Sequence, residues 1–158
     1  MSSSEQPTVR ILRRVFRIYC IVVLILLFAR PQSGTESTYR EQLAANLNLI
    51  PFRSITIYLY LLVRRPNDAL FSYGCTNLFG NLLLFLPFGF LLPCLRQKMR
   101  SYWRLVVFSA WMILLLELLQ LFTLLGSFDV DDLILNLLGV SVGYLAFRIA
   151  HRKWKIPS

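Results

Sequence analysis

The stretch CTNLFGNLLLFLPFGFLLPCL, Cys75 to Leu95, holds no charged residue, and none occurs anywhere between Asp68 and Arg96. An apolar run of about 20 residues is the length a helix needs to cross the hydrocarbon core of a bilayer. The segment therefore predicts a transmembrane helix. Directly behind it stand Arg96, Lys98, Arg100 and Arg104, the cationic flank that marks a cytoplasmic loop. Two further spans are expected downstream, from Trp103 to Leu125 and from Val130 to Ala150. Upstream, Val9 to Ala29 reads as a first span if Arg13, Arg14 and Arg17 snorkel to the interface. Phe28-Ala29-Arg30-Pro31 is a poor small-x-small cleavage site, so this helix is expected to stay in place.

Composition agrees with the membrane reading. Of 158 residues, 56% are hydrophobic and only 16% charged, too few to wet the surface of a soluble domain of this size. Mean hydropathy is +0.58. The net charge of +9 does not point to nucleic acid, because the basic residues gather at the ends of apolar segments. Cys20, Cys75 and Cys94 are odd in number and lack CxxC spacing, and His151 is the only histidine. Neither a disulfide framework nor a zinc knuckle is expected, and multi-histidine metal sites and histidine triads are excluded. No cofactor and no metal are expected.

The charges also orient the chain. Arg10, Arg13, Arg14, Arg17, the 96–104 cluster, and Arg148, Arg152, Lys153 and Lys155 fall on one side, with Glu5 the single acid there. The other side mixes five arginines with six acids, Asp129, Asp131 and Asp132 among them. Four spans with both termini cytoplasmic satisfy the positive-inside rule at every loop. The expected fold is a single all-α membrane domain over residues 1–158. In it an outer segment, Pro31 to Gly74, separates the first two spans. Within that segment Gln32 to Gln42 reads as irregular. Ile55 to Val63, apolar but too short to span, reads as an interfacial or re-entrant helix ended by turn residues at Arg64 to Asp68.

Several polar residues are out of place in lipid. Glu117 and Gln120 share one face of the third span, and Asp129, Asp132, Asn136, Gly139 and Gly143 project to one stripe of the fourth. Asp131 projects elsewhere. Asn77 and Asn81 share a face of the second span. Counted inward from the outer helix ends at 1.5 Å per residue, the groups on the three spans lie at matching depths of about 3 to 12 Å. Acids at such depth are costly unless paired, hydrated or protonated. The expected arrangement is a polar pocket open to the outside, with Glu117 hydrogen-bonded to Gln120 or Asn81. The plainer alternative is that the amides and Gly139-x-x-x-Gly143 are packing glue between helices. Pro87 and Gly89 predict a kink, either static or a hinge shaping the pocket. Asp129, Asp131 and Asp132 supply too few ligands for a divalent cation and read better as an N-terminal helix charge cluster.

Asn48-Leu-Ile-Pro51-Phe52, Asn81-Leu-Leu-Leu-Phe85-Leu-Pro87-Phe88-Gly89, Glu117-Leu-Leu-Gln120 and Asp129-Val-Asp131-Asp132-Leu-Ile-Leu-Asn136-Leu-Leu-Gly139 occur in that order. This series resembles the VanZ-like family of small bacterial membrane proteins. The resemblance assigns signature positions to Asn48, Pro51, Asn81, Pro87, Gly89, Glu117, Gln120, Asp129, Asp132, Asn136 and Gly139. It departs from many members at Gly126-Ser127-Phe128, where they carry an arginine; a charge partner for the acids is then missing, or Arg53 takes its place.

The family is named for a protein conferring resistance to teicoplanin, a lipoglycopeptide acting at the outer membrane face. The resemblance implies a bacterial inner-membrane protein whose partners are a membrane lipid and either a lipoglycopeptide or a lipid-linked wall precursor. In that reading Asn48, Asn77, Asn81, Glu117, Gln120, Asp129, Asp132 and Asn136 hold the ligand. Pro51, Pro87, Gly89, Gly139 and Gly143 shape the fold. Two rival classes stay open: an intramembrane enzyme using Glu117 and Asp132, and a non-catalytic subunit of an envelope complex. No nucleophile with a placed base supports the first.

Overall fold

A computed structural model of the chain describes residues 7–29, 37–66 and 68–154. Helix α1 spans Pro7–Phe28, α2 Tyr39–Ala45, α3 Arg53–Arg64, α4 Ala69–Leu95, α5 Tyr102–Thr123 and α6 Val130–Trp154. A 3₁₀ turn, Gln97–Arg100, links α4 to α5. Three helices are long and apolar enough to cross a membrane: Ala69–Leu95, Tyr102–Thr123 and Val130–Lys153. The fourth expected span, α1, has 22 residues, but Arg10, Arg13, Arg14 and Arg17 in its first half keep it outside that set.

The all-α expectation agrees with these six helices, to which the structure adds two short strands, β1 (Leu47–Asn48) and β2 (Phe128–Asp129). They pair in parallel, Leu47 opposite Phe128 and Asn48 opposite Asp129. The Phe128 N–H extends the ladder to the Asn46 carbonyl at 2.9 Å. This pairing clips the outer segment to the start of α6.

The outer segment is also more ordered than expected. Residues 30–36 lie outside the described residues, but Gln42, assigned to an irregular stretch, sits inside α2. Thr38 and Glu41 form a capping box, each side chain taking the other's backbone N–H. Those hydrogen bonds hold the Glu41 carboxyl below its ordinary range. Helix α4 begins at Ala69, six residues before the expected Cys75, because Asp68 stands at its N-cap and Phe71 to Tyr73 continue the apolar run. The added turns carry α3: a Cβ on Gly74 would meet the Tyr58 carbonyl at 3.1 Å, and the Tyr58 and Tyr73 rings meet edge to face at 5.9 Å.

Helices α4 and α6 form the most extensive contact in the fold. Its cause is local: a Cβ on Gly139 would overlap the Leu82 carbonyl, one on Gly143 the Leu86 carbonyl, and one on Gly89 the Val140 carbonyl. Glycines let the two backbones touch, which is where dispersion and packing are strongest in lipid. Helix α4 runs unbroken through Pro87 and Pro93. Phe85, Phe88, Ile113, Val140 and Phe147 fill the core.

Helix α1 lies antiparallel along α4. Leu12, Phe16, Tyr19, Val23 and Leu27 face the core at heptad-like spacing, while Ile18, Ile21, Ile25 and Leu26 stay exposed. The Phe16 and Phe88 rings are 5.8 Å apart, and the Tyr19 hydroxyl donates to the Leu84 carbonyl at 2.6 Å. Tyr19→Phe is predicted to cost about 1 kcal/mol, the usual worth of a hydrogen bond between membrane helices. The check is the thermal midpoint in detergent; an unchanged midpoint would mean that the hydroxyl contributes nothing to docking α1.

Candidate functional site

Where α6 begins, three acids within four residues turn to three different neighbours. Asp131 is fully buried, 0% exposed, and faces the N-terminus of α3. Its Oδ1 accepts the Phe52 N–H at 2.5 Å, and its Oδ2 accepts those of Ser54 at 2.7 Å and Ile55 at 3.1 Å. Helix N-termini carry orphan N–H groups that need an acceptor. Phe52, at the N-cap of α3, has no side-chain oxygen to supply one, so Asp131 supplies it from 79 residues away. Phe52 stands in the left-handed region, φ 63°, closing a turn with Pro51 in which the Arg53 N–H reaches the Ile50 carbonyl. That conformation costs a non-glycine residue about 1 kcal/mol, offset by the bond that it lets the Phe52 N–H make to Asp131.

Asp129, also buried, is held by the outer segment. Its Oδ2 accepts the Ser54 hydroxyl at 2.5 Å and the Asn48 amide at 3.1 Å. Asn48 also donates to Ser54 at 2.9 Å, so the three side chains close a ring. The Asp129 Oδ1 accepts the Asp131 N–H at 2.9 Å. Pairing through β1 and β2 sets Asn48 opposite Asp129 in the first place.

Asp132 turns to α4, where the Asn81 amide donates to its Oδ1. Unlike Asp129 and Asp131, it is only partly buried. Tyr58 of α3 stands close by, and its hydroxyl pKa is pushed above the usual range by burial, then by the charge of Asp132, with Tyr73 and Asp129 adding to it. Glu117 reaches the group from α5, 4% exposed, its Oε2 accepting the Asp129 N–H at 3.3 Å. Four elements thus converge on Asp129 to Asp132.

The remaining sequence-predicted residues divide. Gln120 is buried, but its amide donates to the Leu27 carbonyl at 2.9 Å and ties α5 to the end of α1. Asn136 is 2% exposed, and its Oδ1 has no hydrogen-bond partner among the described residues. Asn77 stands apart: its amide donates to the Tyr73 carbonyl of its own helix at 2.8 Å. Arg53, considered as a charge partner, is exposed on the first turn of α3; the donors that reach Asp129 and Asp131 are backbone N–H groups, an amide and a hydroxyl. Among the described residues no group of three His, Cys, Asp or Glu side chains is placed to hold a metal ion.

Sequence reasoning missed Asp131, Ser54 and Tyr58. Asp131 fell off the stripe shared by Asp132 and Asn136, and its distance from that stripe was the available signal. A buried acid that does not face α4 has to face something else.

Chemically, Asp132 is the least buried of the three acids, with the Asn81 amide beside it and the Tyr58 hydroxyl near enough to feel its charge. Such a site suits a group that donates hydrogen bonds or carries positive charge, and it repels phosphate. No curated protein and no solved structure matches the chain. A family model described as VanZ/LLP1 matches residues 16–151, from the first half of α1 to the last turns of α6. The match takes in all three helices capable of crossing a bilayer and every residue of the acidic site, and the chain is accordingly a membrane protein of the VanZ-like family.

Proposed function

We propose that this chain spans the bacterial cytoplasmic membrane four times, both termini in the cytoplasm, and binds the polar head of an amphiphile at the outer leaflet. Supporting the topology, the basic ends of α1, α4, α5 and α6 all lie opposite the acidic site, as the positive-inside rule requires. Helix α1 would be the fourth span. At 22 residues it is about 33 Å long, enough for a 30 Å core, with its arginines snorkelling at one end.

The observation that carries the binding role is the partly buried Asp132–Asn81 pair at the acidic end of the bundle. Asp132 binds a donor group of the head, such as a sugar hydroxyl, an amide or an ammonium. Asn81 orients that group, and Glu117 backs it through the Asp129 backbone. For a member acting in teicoplanin-type resistance, the ligand is the lipoglycopeptide or the lipid-linked precursor that it targets.

Asp132→Asn is predicted to weaken such binding about tenfold or more, since a hydrogen bond to a charged group is worth roughly 1.5 to 3 kcal/mol. The experiment expresses wild type, Asp132→Asn and Glu117→Gln at equal membrane levels and measures susceptibility to teicoplanin. Loss of protection in both variants supports the reading. Protection unchanged in both would reduce the acids to packing. Turnover of a labelled envelope lipid by the purified chain, lost in Glu117→Gln, would instead assign an intramembrane enzyme.

A further inference from the structure

At the opposite, basic end, one face of α6 and Tyr102 of α5 line an open groove of about 370 Å³ that the acidic site does not use. Its polar lining is Tyr102, Ser141 and Tyr144 together with the exposed Arg148 and Arg152. The three hydroxyls are already engaged. Ser141 donates to the Leu137 carbonyl at 2.8 Å, the Tyr102 hydroxyl lies 3.1 Å from Ser141, and Tyr144 donates to the Arg100 carbonyl at 2.7 Å.

The arginines are different. One Arg148 N–H reaches the Tyr144 hydroxyl at 3.3 Å, and its guanidinium lies 5.9 Å from that ring's centroid. A guanidinium has five N–H donors, so most of that fork remains open. Arg152 has no hydrogen bond or ion pair among the described residues. The unspent recognition capacity of the groove is therefore for an anionic group at its two arginines.

The groove also opens onto an apolar track. Leu145 and Ile149 line it and are 60% and 51% exposed. Leu138 and Val142 continue the same face of α6, 50% and 47% exposed. From residue 138 to 149 the track rises about 16 Å, close to half a hydrocarbon core. A soluble anion has no use for such a track, whereas an acyl chain does. We infer that this groove is a binding site for an anionic phospholipid, its phosphate held by Arg148 and Arg152 and one acyl chain laid along Leu145 and Ile149.

The test uses the full chain in mild detergent and compares retention of added phosphatidylglycerol and phosphatidylcholine by native mass spectrometry. Wild type is expected to keep phosphatidylglycerol in preference. The double variant Arg148→Gln/Arg152→Gln is expected to lose that preference about tenfold or more, from roughly 1 kcal/mol for each cation near an anionic headgroup. Leu145→Trp, which fills the groove and leaves the charges, is expected to lower retention as well. Arg10→Gln/Arg14→Gln, which removes two exposed cations elsewhere on the basic side, is the control and should change little. An equal loss in that control, equal retention of both lipids by wild type, or full retention by the double variant would each overturn the site. None of these outcomes depends on the acidic cluster or on which leaflet the groove faces.

Discussion

Asp131→Ala is expected to leave the chain poorly folded, with a loss of about 3 to 5 kcal/mol. The figure follows from the usual cost of breaking a buried polar constellation by removing one partner. Phe52, Ser54 and Ile55 would then hold part-buried N–H groups whose acceptor is gone, and α3 would lose the cap its own sequence does not provide. Asp131→Asn should cost nearly as much, because one of the two carboxylate oxygens becomes an amide that turns donors toward donors. The effect should be local before it is global. Trypsin should cut sooner after Arg53 and Arg64, while α4, α5 and α6 stay protected; the readouts are cleavage rate and thermal midpoint in detergent. If Asp131→Ala matches wild type on both, the anchoring of the outer segment has been misread.

A second large effect is expected at the crossing of α4 and α6. Gly139→Val and Gly143→Val would drive a side chain into the Leu82 and Leu86 carbonyls, and a backbone atom cannot rotate away. Overpacking usually costs 1 to 3 kcal/mol and occasionally more; about 3 kcal/mol or more is expected at each site, since the two helices must separate. Asn81 rides on α4 and Asp132 on α6, so separation would also open their hydrogen bond. Gly80 is the internal control, because a Cβ there meets nothing within 4 Å. Gly80→Ala should be neutral, or stabilising by up to about 1 kcal/mol from helix propensity alone. Equal midpoints for Gly80→Ala and Gly139→Val would mean that the crossing is looser than its glycines imply.

Much of the fold was legible because apolar length and charge placement report directly on a bilayer. The helices α4, α5 and α6 follow from runs such as Cys75 to Leu95, and the short helix α3 from Ile55 to Val63 bounded by turn residues. Two boundaries were missed despite readable signals: Thr38-x-x-Glu41 announces α2, and Asp68 announces the start of α4. The strand pair was not legible at all. Leu47-Asn48 and Phe128-Asp129 are two residues each, too short for any periodicity, and each exists only because the other is beside it.

The candidate site divides along the same line. Helical spacing puts Asn81, Asp132 and Asn136 on definable faces, and the price of a buried acid marks Glu117 and Asp132 as residues needing partners. Spacing alone could not say which partners. Glu117 with Gln120 or Asn81 was a reasonable pairing, yet Gln120 serves Leu27 and Asn81 serves Asp132.

What the chain's order of residues determined by itself is a membrane-embedded helical bundle with basic ends on one side and acids at the other, since hydrophobic length and charge need no knowledge of neighbours. What only the tertiary structure decided is the use of each acid: Asp131 as the cap of a helix 79 residues away, Asp129 as the hub of the strand clip, Asp132 as the acceptor for Asn81 of α4. The reason is physical. Periodicity tells which side chains share a face, but a carboxylate's role is set by the donors that reach it, and those arrive from α3, α4 and β1 only once the chain has packed.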